Sequence, residues 1–365
     1  MAHRIDIIDH AVIYENPTPT YCSRHGYFPG MVRLRSGELL ALFPVGEAFE
    51  SPTNRIHMSR SNDGGRTWSH AVLIHPDIKP GLGSMKPTLL RDGSLVAIGY
   101  ASYPGPDGTW LNSKAGGMAP DGENLVSFSS DDGHGWSLPR TLHHRYPEML
   151  ETSGPCIQLK NGDLLAVCTP MPLHDGSNPT GHLGIALRSV DLGTIWDDTT
   201  IYYAQPPVAP YEARLCQMPD GRIVAITWSM DTSIGHCKPN EIVVSHDDGH
   251  TWSPPIDTGV PGQASNVYAL DENRLLSIHC QREQDPVGVF VRVVDFSDDR
   301  WHELAVASIW DRAPALQISG FEDMGQNLRF GQPSLQHLGG NEYLAYHWAI
   351  EDGQGRIRGH RIRVV

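Results

Sequence analysis

Four stretches of this 365-residue chain are near copies of one another: Ser61-Asn-Asp63-Gly-Gly65-Arg-Thr67-Trp68, Ser129-Ser-Asp131-Asp-Gly133-His-Gly135-Trp136, Ser189-Val-Asp191-Leu-Gly193-Thr-Ile195-Trp196 and Ser245-His-Asp247-Asp-Gly249-His-Thr251-Trp252. An internal repeat restricts the chain to architectures in which one small unit is reused around or along a core. The chemistry of the unit is that of a turn. Ser and Asp oxygens accept hydrogen bonds from nearby backbone amides, Gly supplies a positive φ, and the Trp can cover the bend with about 200 Å² of apolar surface. The four carboxylates Asp63, Asp131, Asp191 and Asp247 are therefore expected to build turns and to take no part in catalysis.

A second pattern lies between these turns. Residues 31–43, 88–99, 156–168 and 215–227 each read as two short apolar runs around a tight bend, at Gly37, Gly93, Gly162 and Gly221. Two looser copies, 267–279 and 334–346, bend at Asn273 and Gly340. Such segments predict β-hairpins. A further strand-like run follows each one, and in the first four cases it leads directly into the repeated turn and a fourth, outer strand. The fifth does so degenerately through Ser297-Asp-Asp-Arg-Trp301. The sixth ends at Val365, whereas residues 4–14 offer an unassigned strand that could complete it. No helical periodicity is evident.

The eight-residue element resembles the Asp-box of sialidases, and with the hairpins the resemblance spans nearly the whole chain. It implies an all-β fold, a six-bladed β-propeller over residues 1–365 with the last blade closed by the N-terminal strand, which removes exposed sheet edges.

A hydrophobic fraction of 39% suits a large core, and a net charge of −14 argues against nucleic acid or an anionic membrane as partner. There is no apolar run of about 18 residues. The first ten residues carry charge where a secretion signal would be apolar, so a cytoplasmic location is expected. The six cysteines show no Cys-x-x-Cys spacing and read as free thiols, and the 19 histidines are scattered. Neither a metal nor another cofactor is expected.

In a propeller the residues just before each hairpin converge on the central axis. Those residues are Arg24, His25, Tyr27, Lys86, Glu151, Ser153, Glu212, Arg214, Asn266, Arg329 and Gln332. Connections between second and third strands are expected to add Glu47, Glu50, His279, Arg282 and His347. So many Arg, Lys, His and Glu predict a site for a polyhydroxylated, anionic ligand. Loops at 102–122, 171–182, 229–240 and 310–327 are long enough to serve it.

The resemblance to sialidases implies three arginines against a substrate carboxylate, a Tyr nucleophile paired with a Glu, and an Asp acid/base. Nine residues before Gly221 stands Glu212, where the family has its Glu. The first arginine position, ten residues before Gly37, holds Tyr27, and the second, seven residues after Gly221, holds Trp228. Gly331 and Gln332 occupy the region of the nucleophile, and Glu47 or Glu50 could replace the acid/base Asp. Three functions follow. The first is an exo-acting glycoside hydrolase using Glu212 with Glu47 or Glu50. The second is a lyase in which His25 or Tyr27 removes a proton next to a uronate held by Arg214 and Arg329. The third is a noncatalytic carbohydrate-binding or interaction propeller.

Overall fold

The computed structural model describes residues 3–49, 51–76, 81–103, 121–311 and 328–365. They form six antiparallel sheets and no helix. In chain order the inner strands are Gly30–Arg33, Leu82–Leu89, Ile157–Gln158, Val208–Gln217, Ser265–Ala269 and Phe330–Gly339. The N-terminal strand Ile5–Tyr14 pairs with Gln354–Val364 as the outer strand of blade six, with Ile5 opposite Val364. The two ends of the chain thus close the ring in one sheet.

The second strands explain the apolar runs of the sequence. Leu39–Gly46 is buried along its whole length because its two faces meet two different neighbours. Leu39, Ala41 and Phe43 pack with Leu344, Tyr346 and Trp348 of blade six, while Leu40 and Leu42 pack with Leu95 and Ala97 of blade two. Leu164 and Ala166 likewise face Val96 and Ile98, while Leu165 and Val167 face Ile223 and Ala225. With a side-chain period of two, a strand must be apolar at every position to serve both sides.

The repeated turns lock this stacking. In each, the Ser hydroxyl donates to its Asp at 2.8 Å and accepts a backbone N–H from the following Gly. Asp63 also accepts the amides of Arg66 and Thr67 and the Thr67 hydroxyl. Desolvation raises its pKa, but these hydrogen bonds outweigh that and hold it down at about 2. The glycines touch the preceding blade. A Cβ at Gly65 would lie 2.8 Å from Leu344, one at Gly133 2.4 Å from Leu40, and one at Gly249 2.8 Å from Leu165. Gly133 also has φ of +77°. Gly133→Ala is therefore expected to destabilise the fold by about 2 kcal/mol in chemical denaturation, through backbone strain and overpacking together.

Candidate axial site

Two inner strands and the segment leading into a third are kinked. Phe28 (φ 44°), Glu212 (φ 44°) and Gln332 (φ 42°) adopt left-handed backbone, and the register shifts between Tyr211 and Arg214 and between Gly331 and Ser334. For residues other than glycine this is a strained conformation that persists only where the surroundings fix it. In blade two, by contrast, Lys86 lies in regular pairing opposite Ile98.

Lys86 is 2% exposed. Its Nζ donates to Phe28 O (2.6 Å), Pro29 O (3.0 Å) and Gln332 Oε1 (2.8 Å). Burial, and after it the Arg214 charge, push the pKa of Lys86 down, while Glu212 and Glu151 pull it up. Three acceptors require three N–H groups, which only the ammonium has, so Lys86 is the charged partner here. The Gln332 amide is fixed in turn: with its oxygen on Lys86, its Nε2 donates to Glu212 Oε1 at 2.9 Å. The other carboxylate oxygen, Glu212 Oε2, is buried with no hydrogen-bond partner.

Glu151 reaches the same place from blade three, its Oε2 accepting the backbone N–H of Glu212 at 2.8 Å. Burial, together with the neighbouring Glu212 charge, raises its pKa to about 8, against the lowering effects of that hydrogen bond, Arg214 and Ser153. Arg214 Nη1 donates to Ser153 Oγ, Glu212 O and Ala213 O at 2.9–3.0 Å, so it braces the kinked backbone and not the Glu212 carboxylate.

Arg282 is 2% exposed, and its guanidinium stacks over Trp228 and Phe330, 5.4 and 5.6 Å from the ring centres. Its Nε donates to Phe330 O, whereas its Nη1 has no partner. Trp348 Nε1 is also buried and unpartnered. Both side chains crowd Gly331, where a Cβ would meet Arg282 Nη2 at 2.6 Å and Trp348 Nε1 at 2.9 Å. Two unanswered donors thus lie next to Gln332, the residue that holds Glu212.

The remaining candidates disperse. Asn266 ties blade five to blade six through Ser334 Oγ (2.6 Å). Arg329 stands at the start of blade six, its Nη1 3.5 Å from Leu328 O. His25 Nδ1 accepts the Gly355 N–H, so its proton is on Nε2, which faces Ser23 Oγ at 2.8 Å; burial lowers its pKa. Tyr27 is packed edge-on against Phe49 and Trp348, and burial raises its pKa. Glu47 is exposed and engaged through its backbone, and Glu50 lies outside the described residues. So do loop residues 104–120 and 312–327. Arg24 is exposed in a cleft beside the N-terminal strand.

His279 and His347, expected in connections, lie inside the strands Arg274–Gln281 and Glu342–Glu351 and are fully buried. His279 stacks on Phe290 beside Arg292. His347 Nδ1 donates to Trp348 O, and its Nε2 meets His360 Nε2 at 3.1 Å. Burial lowers its pKa to about 4 from an ordinary 6.5. A folded pKa below the unfolded one gives stability that is complete above pH 6.5 and lost as the pH falls toward 4. His347→Gln is expected to flatten that acid loss by up to about 3 kcal/mol in denaturation measured across this range.

Sequence reasoning missed Trp348, Tyr100 and Tyr346. The two tyrosines are buried, and both sense the Arg214 charge. The signal for Tyr100 was an aromatic residue following the aliphatic run of Leu95–Tyr103, whereas Tyr346 and Trp348 stand among other aromatic and histidine residues of Glu342–Glu351 and nothing in the sequence set them apart.

No protein-family model matches the chain, and no curated protein matches it. Solved structures share its fold. A Dyadobacter fermentans protein of unknown function aligns with a TM-score of 0.78 at 21% identity, covering 99% of both chains. A Penicillium chrysogenum α-L-arabinanase complexed with arabinobiose aligns at 0.65 and 14%, covering 98% of each. The leech intramolecular trans-sialidase aligns at 0.63 and 14%, covering 98% of this chain and 70% of its own. The fold is the six-bladed propeller of sialidases and arabinanases.

Proposed function

We propose that this chain is an exo-acting glycoside hydrolase for an acidic carbohydrate bound at the axial end of the ring. The observation that carries this reading is the state of Glu212. One carboxylate oxygen is held by Gln332, and the other is buried without a partner, beside a second carboxyl, Glu151, whose proton burial and the Glu212 charge help retain. One carboxylate to attack or stabilise the sugar and one carboxyl to carry a proton are what glycosidic cleavage requires. Glu212 takes the first role and Glu151 the second. The unpartnered donors of Arg282 and Trp348 receive the oxygens of the acidic sugar. The sialidases and the arabinanase that share the fold support a glycosidase reading, and the acidity of the substrate rests on the unpartnered donors alone.

A binding protein without turnover is the second reading, favoured by one observation: Lys86, Arg214 and Gln332 spend their donors on the protein itself. The lyase draws less support. Its proposed base His25 accepts a backbone N–H at Nδ1, and Tyr27 is packed in the core.

A panel of aryl α- and β-glycosides, including arabinofuranosides, glucuronides and sialosides, distinguishes the three. Release of the aryl group and a reducing sugar supports hydrolysis. An ultraviolet-absorbing unsaturated product supports the lyase. Saturable binding with no product supports the binding protein.

A further inference from the structure

We propose that the cleft between the N-terminal strand and blade one is a second, noncatalytic binding site for a single uronic acid residue, separate from the axis. The cleft encloses about 420 Å³, within the range of roughly 300–1,000 Å³ usual for small-molecule pockets. Its lining supplies three kinds of contact that select one class of ligand together.

The first is a positive charge. Arg24 lines the mouth, and among the described residues its guanidinium has neither hydrogen bond nor ion pair. It acts electrostatically on Tyr14 and His57, which line the same cleft. The carboxylate in the lining, Glu15, stands 3.5 Å from Arg356 and leaves Arg24 uncompensated. A free guanidinium at a partly enclosed site calls for a carboxylate.

The second is an acceptor. His57 Nδ1 faces Arg55 O at 2.8 Å, and a carbonyl can only accept, so the proton is on Nδ1. Burial and the adjacent arginine charges keep the ring neutral, so Nε2 presents a lone pair. That lone pair can accept a hydrogen bond from a hydroxyl of the ligand.

The third is aromatic surface. Trp68 is held in place by its Nε1 donating to Gly65 O at 3.0 Å, so its ring lines the cleft in a fixed orientation. With Tyr14 and Val12 it offers a surface for the C–H face of a ring. A carboxylate, a hydroxyl and an apolar ring face together describe a hydroxylated ring acid; a neutral hexose lacks the first, and an aromatic acid without hydroxyls lacks the second. The cleft is distinct from the axis. The hydrophobic cluster of Tyr14, Phe43, Tyr27 and Trp348 meets the cleft through Tyr14 and meets Gly331 through Trp348.

Titrating the protein with sodium glucuronate while following the Trp68 indole and His57 imidazole resonances by NMR tests the site. Saturable shifts in both signals are expected, with glucose and benzoate each at least about tenfold weaker. Arg24→Gln, at an exposed position, should weaken glucuronate at least fivefold at unchanged melting temperature. Glu212→Gln should leave these shifts intact, which keeps the test independent of the axial chemistry. Absence of shifts at Trp68 and His57 overturns the proposal, and so does equal binding of glucose or benzoate or an undiminished affinity in Arg24→Gln.

Discussion

Under the proposed hydrolase reading, Glu212→Gln is expected to lower glycoside turnover by about 10²–10⁴-fold, while shifting the melting temperature by only a few degrees. The asymmetry follows from how the residue is held. Its Oε1 accepts from Gln332, a bond that the glutamine side chain preserves through its own carbonyl oxygen. Its Oε2 has no partner in the protein, so replacing it by NH₂ breaks no hydrogen bond. What is lost is the charge. That charge helps raise the Glu151 pKa to about 8, so the substitution should lower it. Glu151 is an acid whose folded pKa exceeds the unfolded one, so its contribution to stability is complete below pH 4.5 and is lost as the pH rises through 8. In Glu212→Gln that alkaline loss should become smaller, a readout in pH-dependent unfolding that does not require substrate. Turnover within a factor of a few of the wild type would remove Glu212 from the chemistry. A lost turnover with an unchanged alkaline slope would show that the two carboxyls do not interact as described.

The ring itself was legible in the sequence because its physics is local and repeated. A second strand buried on both faces must read as an unbroken apolar run, as at Leu39–Gly46, and a turn that contacts the neighbouring blade must carry glycine where Gly65 and Gly133 stand. The axial residues were legible in part. Position before the hairpin brought Lys86, Glu151, Glu212, Arg214 and Gln332 together, because strand order alone sends those positions inward. Their partners were not legible. Lys86 is bonded to two backbone carbonyls, which no side-chain pattern announces, and they are within reach because the chain kinks at Phe28. Arg24 and His347 carry the same chemistry as axial residues and lie elsewhere. One is four residues upstream of the kink at Phe28 and lines a cleft beside the N-terminal strand, and the other lies inside a second strand against His360 of its own sheet and Trp310 of blade five. Residue type marks polarity, but the face on which a side chain emerges depends on bulges whose φ angles the sequence does not spell out.

Lys86→Met should destabilise the fold by about 3–5 kcal/mol, the largest effect expected of any single substitution at the axis. Methionine matches the length of the lysine stem, so the loss is electrostatic and polar with little change in packing. Phe28 O, Pro29 O and Gln332 Oε1 each lose a buried donor, and the negative charge of Glu212 loses a buried cation. Arginine should not rescue the site, because a planar fork cannot meet three acceptors converging on one nitrogen. The consequence should also be local. Lys86 of blade two joins carbonyls of blade one to an amide of blade six, across the seam where the ring closes. At the outer rim the same seam is held by the pairing of Ile5–Tyr14 with Gln354–Val364. The seam is therefore fastened at both radii, and removing the inner fastener transfers its load to the N-terminal strand. Amide exchange in Ile5–Tyr14 should accelerate in Lys86→Met more than exchange in Gly288–Asp295, the third strand of blade five. Urea unfolding within about 1 kcal/mol of the wild type, with uniform exchange, would mean that ring closure does not depend on the axial ammonium.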